Sequence, residues 1–554
     1  MNKFSGNISQ GIGRCSKLEV FRAGLNSLSG WLPYDLYSVK TLVEIFLGNN
    51  QFTGPINNSI ALLSNLSILD LHQNGLIGEV PKDIGLLSNL NQLILHTNSL
   101  NGSVPPSLMN CTSLKTLLLR NNHLGGEITS LDFSPLRKLE AIDFGNNSFV
   151  GNIPVSLCLC RSLTAVRLAY NQLTGEIPAC MAGLKSLSHL SLSDNFLSNV
   201  VGALQILIRC DNLSVLFLSR CFNDEPVPND EHLLNLNGFQ NLQILTLGGC
   251  KLKGEVPSWI GKLKKLKVLN LSYNQITGTI PKWLGSMPSL FVLNITRNHL
   301  TGELPREIGN LKALVSDDTD SNLKKLDMSG NHLTGEIPES LKKLHFLSSF
   351  TVANNDLEGE IPQGGQFDTF TNTSFEGNPK LCGSVLQKIC PPASSGGQDE
   401  PEEEESATSL YTIPFGLGYS VGFFVVSISL IFRSSLKWEL DLPRGQQIDT
   451  LRNPPRAQQH TVRSTRLEPT VMVTTIYTPT VKPMETSHQD PDDIFLTVAT
   501  ERFVKRMPRI LKRFGVRGTS IASLDLLFTL QRAIFRSSGV GITSDVHTSL
   551  RRVL

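Results

Sequence analysis

His72, His96 and Arg120 follow one another at 24-residue intervals. If a repeat of that length returns them to one face, they form a cationic stripe that could hold a carboxylate or a sulfate. The competing reading is a solvated polar face. A second set is apolar: Val215, Ile244, Val268 and Val292, with Phe217 beside them and Arg220, Tyr273 and Arg297 at the rim. Exposed apolar side chains in a row with a polar rim have the make-up of an interface, unless irregular insertions nearby cover them. Catalytic groupings are missing. The sequence has no phosphate-binding G-x-x-x-x-G-K-[ST] loop, no H-E-x-x-H and no G-x-S-x-G. Cys158 and Cys160 form a lone pair that fits coil packing better than a metal. No catalytic residue, metal or cofactor is therefore expected. A net charge of +2 on 554 residues names no polyanionic partner, and nucleic acid is not one.

Positioning these side chains requires a repeat, and Leu163 to Pro178 (LTAVRLAYNQLTGEIP) displays it. Leu163, Val166, Leu168, Asn171 and Leu173 match the leucine-rich-repeat pattern L-x-x-L-x-L-x-x-N-x-L, extended by G-x-I-P. A short strand over 165–169 turns Val166 and Leu168 inward, because side chains alternate at period two. Asn171 follows the strand, where its amide can bond backbone groups of neighbouring coils that would otherwise be buried unpaired. Gly175 permits a tight backbone path and Pro178 stiffens the return. Residues six, four, two and one before the ladder Asn then point outward, here Ala165, Arg167, Ala169 and Tyr170.

The ladder position recurs at Asn2, Asn26, Asn50, Asn74, Asn98, Asn122, Asn147, Asn171, Asn195, Cys221, Cys250, Asn274, Asn298, Asn331 and Asn355. Cys is a known alternative to Asn there. The expected fold class is an α/β solenoid, a right-handed plant-type leucine-rich-repeat horseshoe of about fifteen repeats over residues 1–362. Residues 221–238 lack the G-x-I-P turn, so a loop is expected to bulge there. The long step from Asn298 to Asn331 contains a second irregular stretch, Ser316 to Asp320. Met1 falls inside a repeat without a signal peptide, which reads as a truncated N-terminus.

Residues 363–392 read as a C-terminal cap in which Cys382 and Cys390 suit a disulfide; zinc would need two further ligands. Residues 393–409 form an acidic linker with no means of burying a core. Leu410 to Phe432 carries no charge and is long enough to span a bilayer once. Acidic residues before it and Arg433 and Lys437 after it place the repeats outside and residues 433–554 in the cytoplasm. Sequons at Asn7, Asn57, Asn65, Asn101, Asn110, Asn146, Asn212, Asn270, Asn294 and Asn372 all precede this span, as an extracytoplasmic glycoprotein requires. The tail lacks the G-x-G-x-x-G, H-R-D and D-F-G elements of a kinase. Its Pro-, Thr- and Arg-rich part reads as unstructured, and Arg502–Arg517 as a solvated basic stretch.

The GEIP turns, with VPNDEHLLNLNGFQNLQILTLGGCKLKGEVPSWIGKLKKL and the later GGQFDTFTNTSFEGNPKLCG, resemble plant leucine-rich-repeat receptor-like proteins and kinases. The similarity is greatest to the group that receives phytosulfokine and tyrosine-sulfated glycopeptides. It covers roughly residues 1–395. The resemblance implies a single-pass plasma-membrane receptor that binds a secreted peptide or protein ligand on its concave face. It also implies a co-receptor kinase as a possible partner. This chain departs from the group in lacking the front repeats, a full island between late repeats, and the kinase. The favoured function is a non-enzymatic receptor-like protein. The alternatives are a fragment of a receptor Ser/Thr kinase for a sulfated peptide hormone, or a defence-related pathogen-recognition protein.

Overall fold

The computed structural model describes residues 3–233, 238–316 and 324–391. The linker at 393–409, the expected membrane span at 410–432, the tail and residues 317–320 of the second irregular stretch lie outside them. Among the described residues no helix is long and apolar enough to cross a membrane.

One coil explains the rest. Leu163, Val166, Leu168, Leu173 and Ile177 are buried and form its inward face. The strand itself is Ala165–Arg167, two residues shorter than its sequence suggests. It ends because Tyr170, with φ +56°, leaves the extended region. Coil-to-coil bonds nevertheless continue, from Leu168 N–H to Ser191 O (2.9 Å) and Tyr170 N–H to Ser193 O (2.8 Å). Asn171 Nδ2 donates to Phe144 O (3.0 Å) in the preceding coil and to Leu168 O (3.0 Å) and Ala169 O (3.2 Å) in its own. Its Oδ1 accepts from Phe149 N (3.0 Å). One side chain thus bonds four backbone groups in two adjacent coils, each bond worth about 1 kcal/mol net. Cys221 and Cys250 supply only the donor half, through Sγ to Leu192 O (2.8 Å) and Leu218 O (3.3 Å).

Stacked coils give two parallel sheets. The first has fourteen short strands in sequence order, from Val20–Arg22 to Ser349–Thr351. The second, on the flank, has nine strands from Ser5–Asn7 to Phe196–Leu197. It breaks, then resumes as a pair (Lys253–Glu255, Gln275–Thr277) and a four-stranded group ending at Lys380–Cys382. Short 3-10 turns return the chain, many of them entered through a proline such as Pro178, held at φ −60°. Gly175 shows why the flank needs glycine: its φ is +76°, and a Cβ there would come within 2.5 Å of Asn152 Oδ1 in the previous coil.

The flank sheet breaks where helix α1 (Val200–Leu207) replaces a 3-10 turn. Glu225 from the following coil caps it, accepting from Asn199 N (2.9 Å) and Val200 N (2.6 Å). The segment after Cys221 is tethered rather than merely bulging. Trp259 Nε1 donates to Pro228 O (2.8 Å) and Trp259 N to Asp230 Oδ1 (2.8 Å). At the far end the cap continues the solenoid. Asn378 bonds Val352 O (3.0 Å) and Phe375 O (2.8 Å) and accepts from Leu357 N (3.1 Å), the role of a further ladder Asn. Phe350, Phe367, Phe370 and Phe375 pack as one cluster beneath it.

Candidate ligand-binding face

The outward face of the fourteen-stranded sheet carries the variable residues, and strand register sets them in columns. Val215 pairs with Ile244, Ile244 with Val268 and Val268 with Val292. The residue just before each ladder position is held at positive φ, as at Asn49, Thr97, Tyr170, Arg220, Tyr273 and Arg297. This backbone feature was not read from the sequence, although Gly249 and Gly330, with Asn49, Asn121, Asn146, Asp194 and Asn354 at the same position, signal it.

The structure brings His72, His96 and Arg120 together on consecutive coils, but not as a solvated stripe. Each is about 2–3% exposed. His72 Nδ1 lies 2.5 Å from Asp70 Oδ1, and the His72 ring stacks on His96 with centroids 4.7 Å apart. Burial, reinforced by the neighbouring charges of Arg120 and Arg167, holds His96 well below the ordinary histidine range. It is therefore neutral at pH 7. Arg120 meets Asp143 at 3.5 Å, and Arg167 meets the same carboxylate at 3.6 Å. The expectation of a free cationic stripe fails because Asp70 and Asp143 occupy the adjoining column, four residues before their ladder positions. Reading one column at a time hid these pairs.

The apolar column is also assembled, yet it is buried rather than exposed: Val215, Ile244, Val268 and Val292 are all below a tenth accessible. β-Branched side chains one strand spacing apart, about 4.8 Å, pack along the column itself. Phe217 and Tyr273 are half-buried and Arg297 is exposed. Arg220 bonds Asp194 through Nε (2.5 Å) and Nη2 (2.8 Å) and reaches Tyr170 Oη at 3.4 Å. The Arg297 guanidinium sits 5.2 Å from the Tyr273 ring centroid.

The sulfurs of Cys382 and Cys390 are bonded, as are those of Cys158 and Cys180. The second pair corrects the reading of Cys158 as a partner of Cys160 in coil packing. Cys158 and Cys180 stand 22 residues apart on successive 3-10 turns, with Cα atoms 5.8 Å apart. Cys160 does pack, and its thiol faces Phe133 O at 3.3 Å. Burial pushes it up to about 11. Of the sequon asparagines, Asn7, Asn65, Asn101, Asn110, Asn146, Asn212 and Asn372 are exposed and Asn57 is half-buried. Asn270 and Asn294 face into the sheet columns and are buried. Among the described residues no group of three His, Cys, Asp or Glu could hold a metal ion.

Two models named Leucine rich repeat match this chain, at residues 240–300 and 322–344. "Receptor-like protein 3" of Arabidopsis thaliana is 41% identical over 380 residues, covering 54% of this chain and 50% of that protein. The chain is similar to a plant receptor-like protein over its repeats. It spans about half the length of that relative. "Phytosulfokine receptor 1" of the same plant is 38% identical over 82 residues, 15% of this chain and 8% of the relative. Among solved structures, the Arabidopsis receptor kinase HAESA in complex with the peptide hormone IDA and the co-receptor SERK1 superposes with a TM-score of 0.54. It is 32% identical and covers 70% of this chain and 65% of HAESA.

Proposed function

We propose that this receptor-like protein binds a secreted peptide or protein ligand on the outward face of its fourteen-stranded sheet. The observation that carries the reading is the likeness to a solved HAESA ectodomain that holds a peptide hormone and a co-receptor. The contact residues proposed are Phe217, Arg220, Tyr273 and Arg297, which keep accessible surface, while the buried Val215, Ile244, Val268, Val292, His72, His96 and Arg120 shape the face that carries them. Output passes through a partner kinase rather than through chemistry of its own. The repeats lie outside the plasma membrane, anchored by the single span at 410–432. Two disulfides and eight accessible sequons support an oxidising, glycosylating compartment.

The phytosulfokine-receptor match favours one second reading, a fragment of a receptor kinase for a sulfated peptide. Binding of matched tyrosine-sulfated and unsulfated peptide pools to the purified chain tests both. Preference for the sulfated pool supports the second reading. Retention of neither pool would falsify peptide reception.

A further inference from the structure

Trp31 and Tyr34 stand in solvent on one coil of the flank, 62% and 69% exposed. Leu32 and Pro33 between them are buried, so the segment is anchored while both rings project. The indole is also seated. A Cβ on Gly54 of the next coil would lie 2.8–2.9 Å from Trp31 Nε1, Cδ1 and Cε2. Near-equal distances to three bonded ring atoms mean that one face of the indole covers Gly54 and the other is open. Tyr34 meets the buried Tyr37 edge-on, with centroids 6.5 Å apart. Both aromatics break their columns. The equivalents of Trp31 in the following coils are Pro55, Glu79, Ser103 and Glu127, and those of Tyr34 are Asn58, Lys82 and Pro106.

A third departure faces this pair. The turn proline, present as Pro33, Pro81, Pro105, Pro154 and Pro178, is replaced by Asn57 in the coil next to the aromatics. Asn57 keeps the backbone of a proline, with φ −67° and ψ 142° against −68° and 139° at Pro33. A hydrogen bond does the work of the ring, since Asn57 Oδ1 accepts from Ser59 N (2.8 Å). Asn57 Nδ2 faces Tyr34 Oη at 3.3 Å. Asn57-Asn58-Ser59 is a glycosylation sequon. Other sequon amides donate to coil carbonyls, as Asn65 does to Lys40 O (3.0 Å) and Asn212 to Lys185 O (2.9 Å). From Gly54, under the indole, to Asn57 is three extended residues, about 10 Å. Phenol and indole are thus both within reach of the first sugars on Nδ2.

We infer that Trp31 and Tyr34 form a platform for an N-linked glycan carried by Asn57, with the C–H faces of its first sugars lying on the two rings. An aromatic ring offers a flat apolar body to such a face, and the Tyr34 hydroxyl a polar tip to its rim. The inference rests on the reading that the repeats face an extracytoplasmic compartment. It adds a place where a glycan covers apolar surface of the solenoid. In the attachment, C1 of the first N-acetylglucosamine bonds to Asn57 Nδ2. Its bond to the diphosphate of a polyprenyl-linked oligosaccharide donor breaks, the electron pair leaves on the diphosphate, and Nδ2 gives up one proton. The remaining N–H can still donate to Tyr34 Oη, and Oδ1 still accepts from Ser59 N, so the turn keeps its bonds.

Two measurements on the full chain expressed in plant cells test it. Glycopeptide mass spectrometry should find most copies modified at Asn57. A bare Asn57 beside modified Asn65 and Asn212 overturns the platform and leaves the extracytoplasmic reading standing. If every sequon is bare, that reading fails and the platform fails with it. The second measurement is the rate at which a peptide N-glycosidase releases glycan from the native chain. Trp31→Ser combined with Tyr34→Ser speeds release at Asn57 by about tenfold and leaves release at Asn65 and Asn212 unchanged. Equal rates at Asn57 in the two proteins overturn the stacking. Faster release at all three sites marks an unfolded variant. Tyr34→Ser alone then decides by the same comparison, and an unchanged rate at Asn57 overturns the inference.

Discussion

His72 stacks on His96 across one coil step, with ring centroids 4.7 Å apart. The contact makes a pair that resembles a cation site in sequence into part of a dry, largely neutral wall. Its consequence is a pH dependence. His96 titrates well below its ordinary value, and His189 is pulled down to about 4 by burial and by the charge of Arg167. Both are neutral in the fold but take up a proton near pH 6.5 when unfolded. Stability is therefore complete above pH 6.5 and falls as the pH drops from 6.5 towards 4. The His189 share is on the order of 3 kcal/mol. Thermal melts between pH 7 and 4 check this, and His189→Gln should flatten the slope. A Tm that rises on acidification would count against it.

Asp143 is 1% exposed and lies between Arg120 and Arg167. Asp143→Asn leaves buried guanidinium charge without its carboxylate and should lower stability by about 3 kcal/mol. Urea unfolding measures it. A loss below about 0.5 kcal/mol would mean the pair is solvated in practice.

Asn171→Ala breaks three carbonyl bonds and strands the N–H of Phe149. A loss of about 3 kcal/mol is expected. Asn171→Cys should cost less than half as much, because Cys221 and Cys250 keep the donor contact to the preceding coil. Equal losses for the two variants would refute the donor argument.

The Cys158–Cys180 disulfide closes a 22-residue separation between neighbouring coils. Replacing both with Ser should lower stability by about 3 kcal/mol. Cys111, Cys160 and Cys210 should resist iodoacetamide at pH 8 in the native chain, since burial pushes each thiol up to about 11. A non-reducing peptide map that links Cys160 instead of Cys158 would contradict the assignment.

The ladder and core were legible in the sequence because each depends on a residue's own coil: a Leu at its position faces inward whatever its neighbours are. The same holds for Asn171 and its carbonyl partners. Asn378 was missed because the cap shortens the spacing from Asn355 and breaks the leucine pattern around it. Helix α1 was missed because nothing in 200–207 signals that a helix replaces the usual turn; its cap, Glu225, lies one coil later. The outward columns were the hardest to read. Whether Arg120 is a free cation depends on Asp143 in the next coil and the next column. Whether Val268 is exposed depends on Ile244 and Val292 on either side. Such cross-coil relations need register in three dimensions, and the Cys158–Cys180 pairing needs it too.

Hydrogen–deuterium exchange of the full chain, with and without a retained peptide pool, tests the central claim most directly. Reception on the outward sheet face predicts slower exchange in the segments 189–193, 215–220, 244–250 and 268–273, with the flank strand Gln172–Gly175 unchanged. Protection confined to the flank strands, or spread evenly along the solenoid, would contradict it.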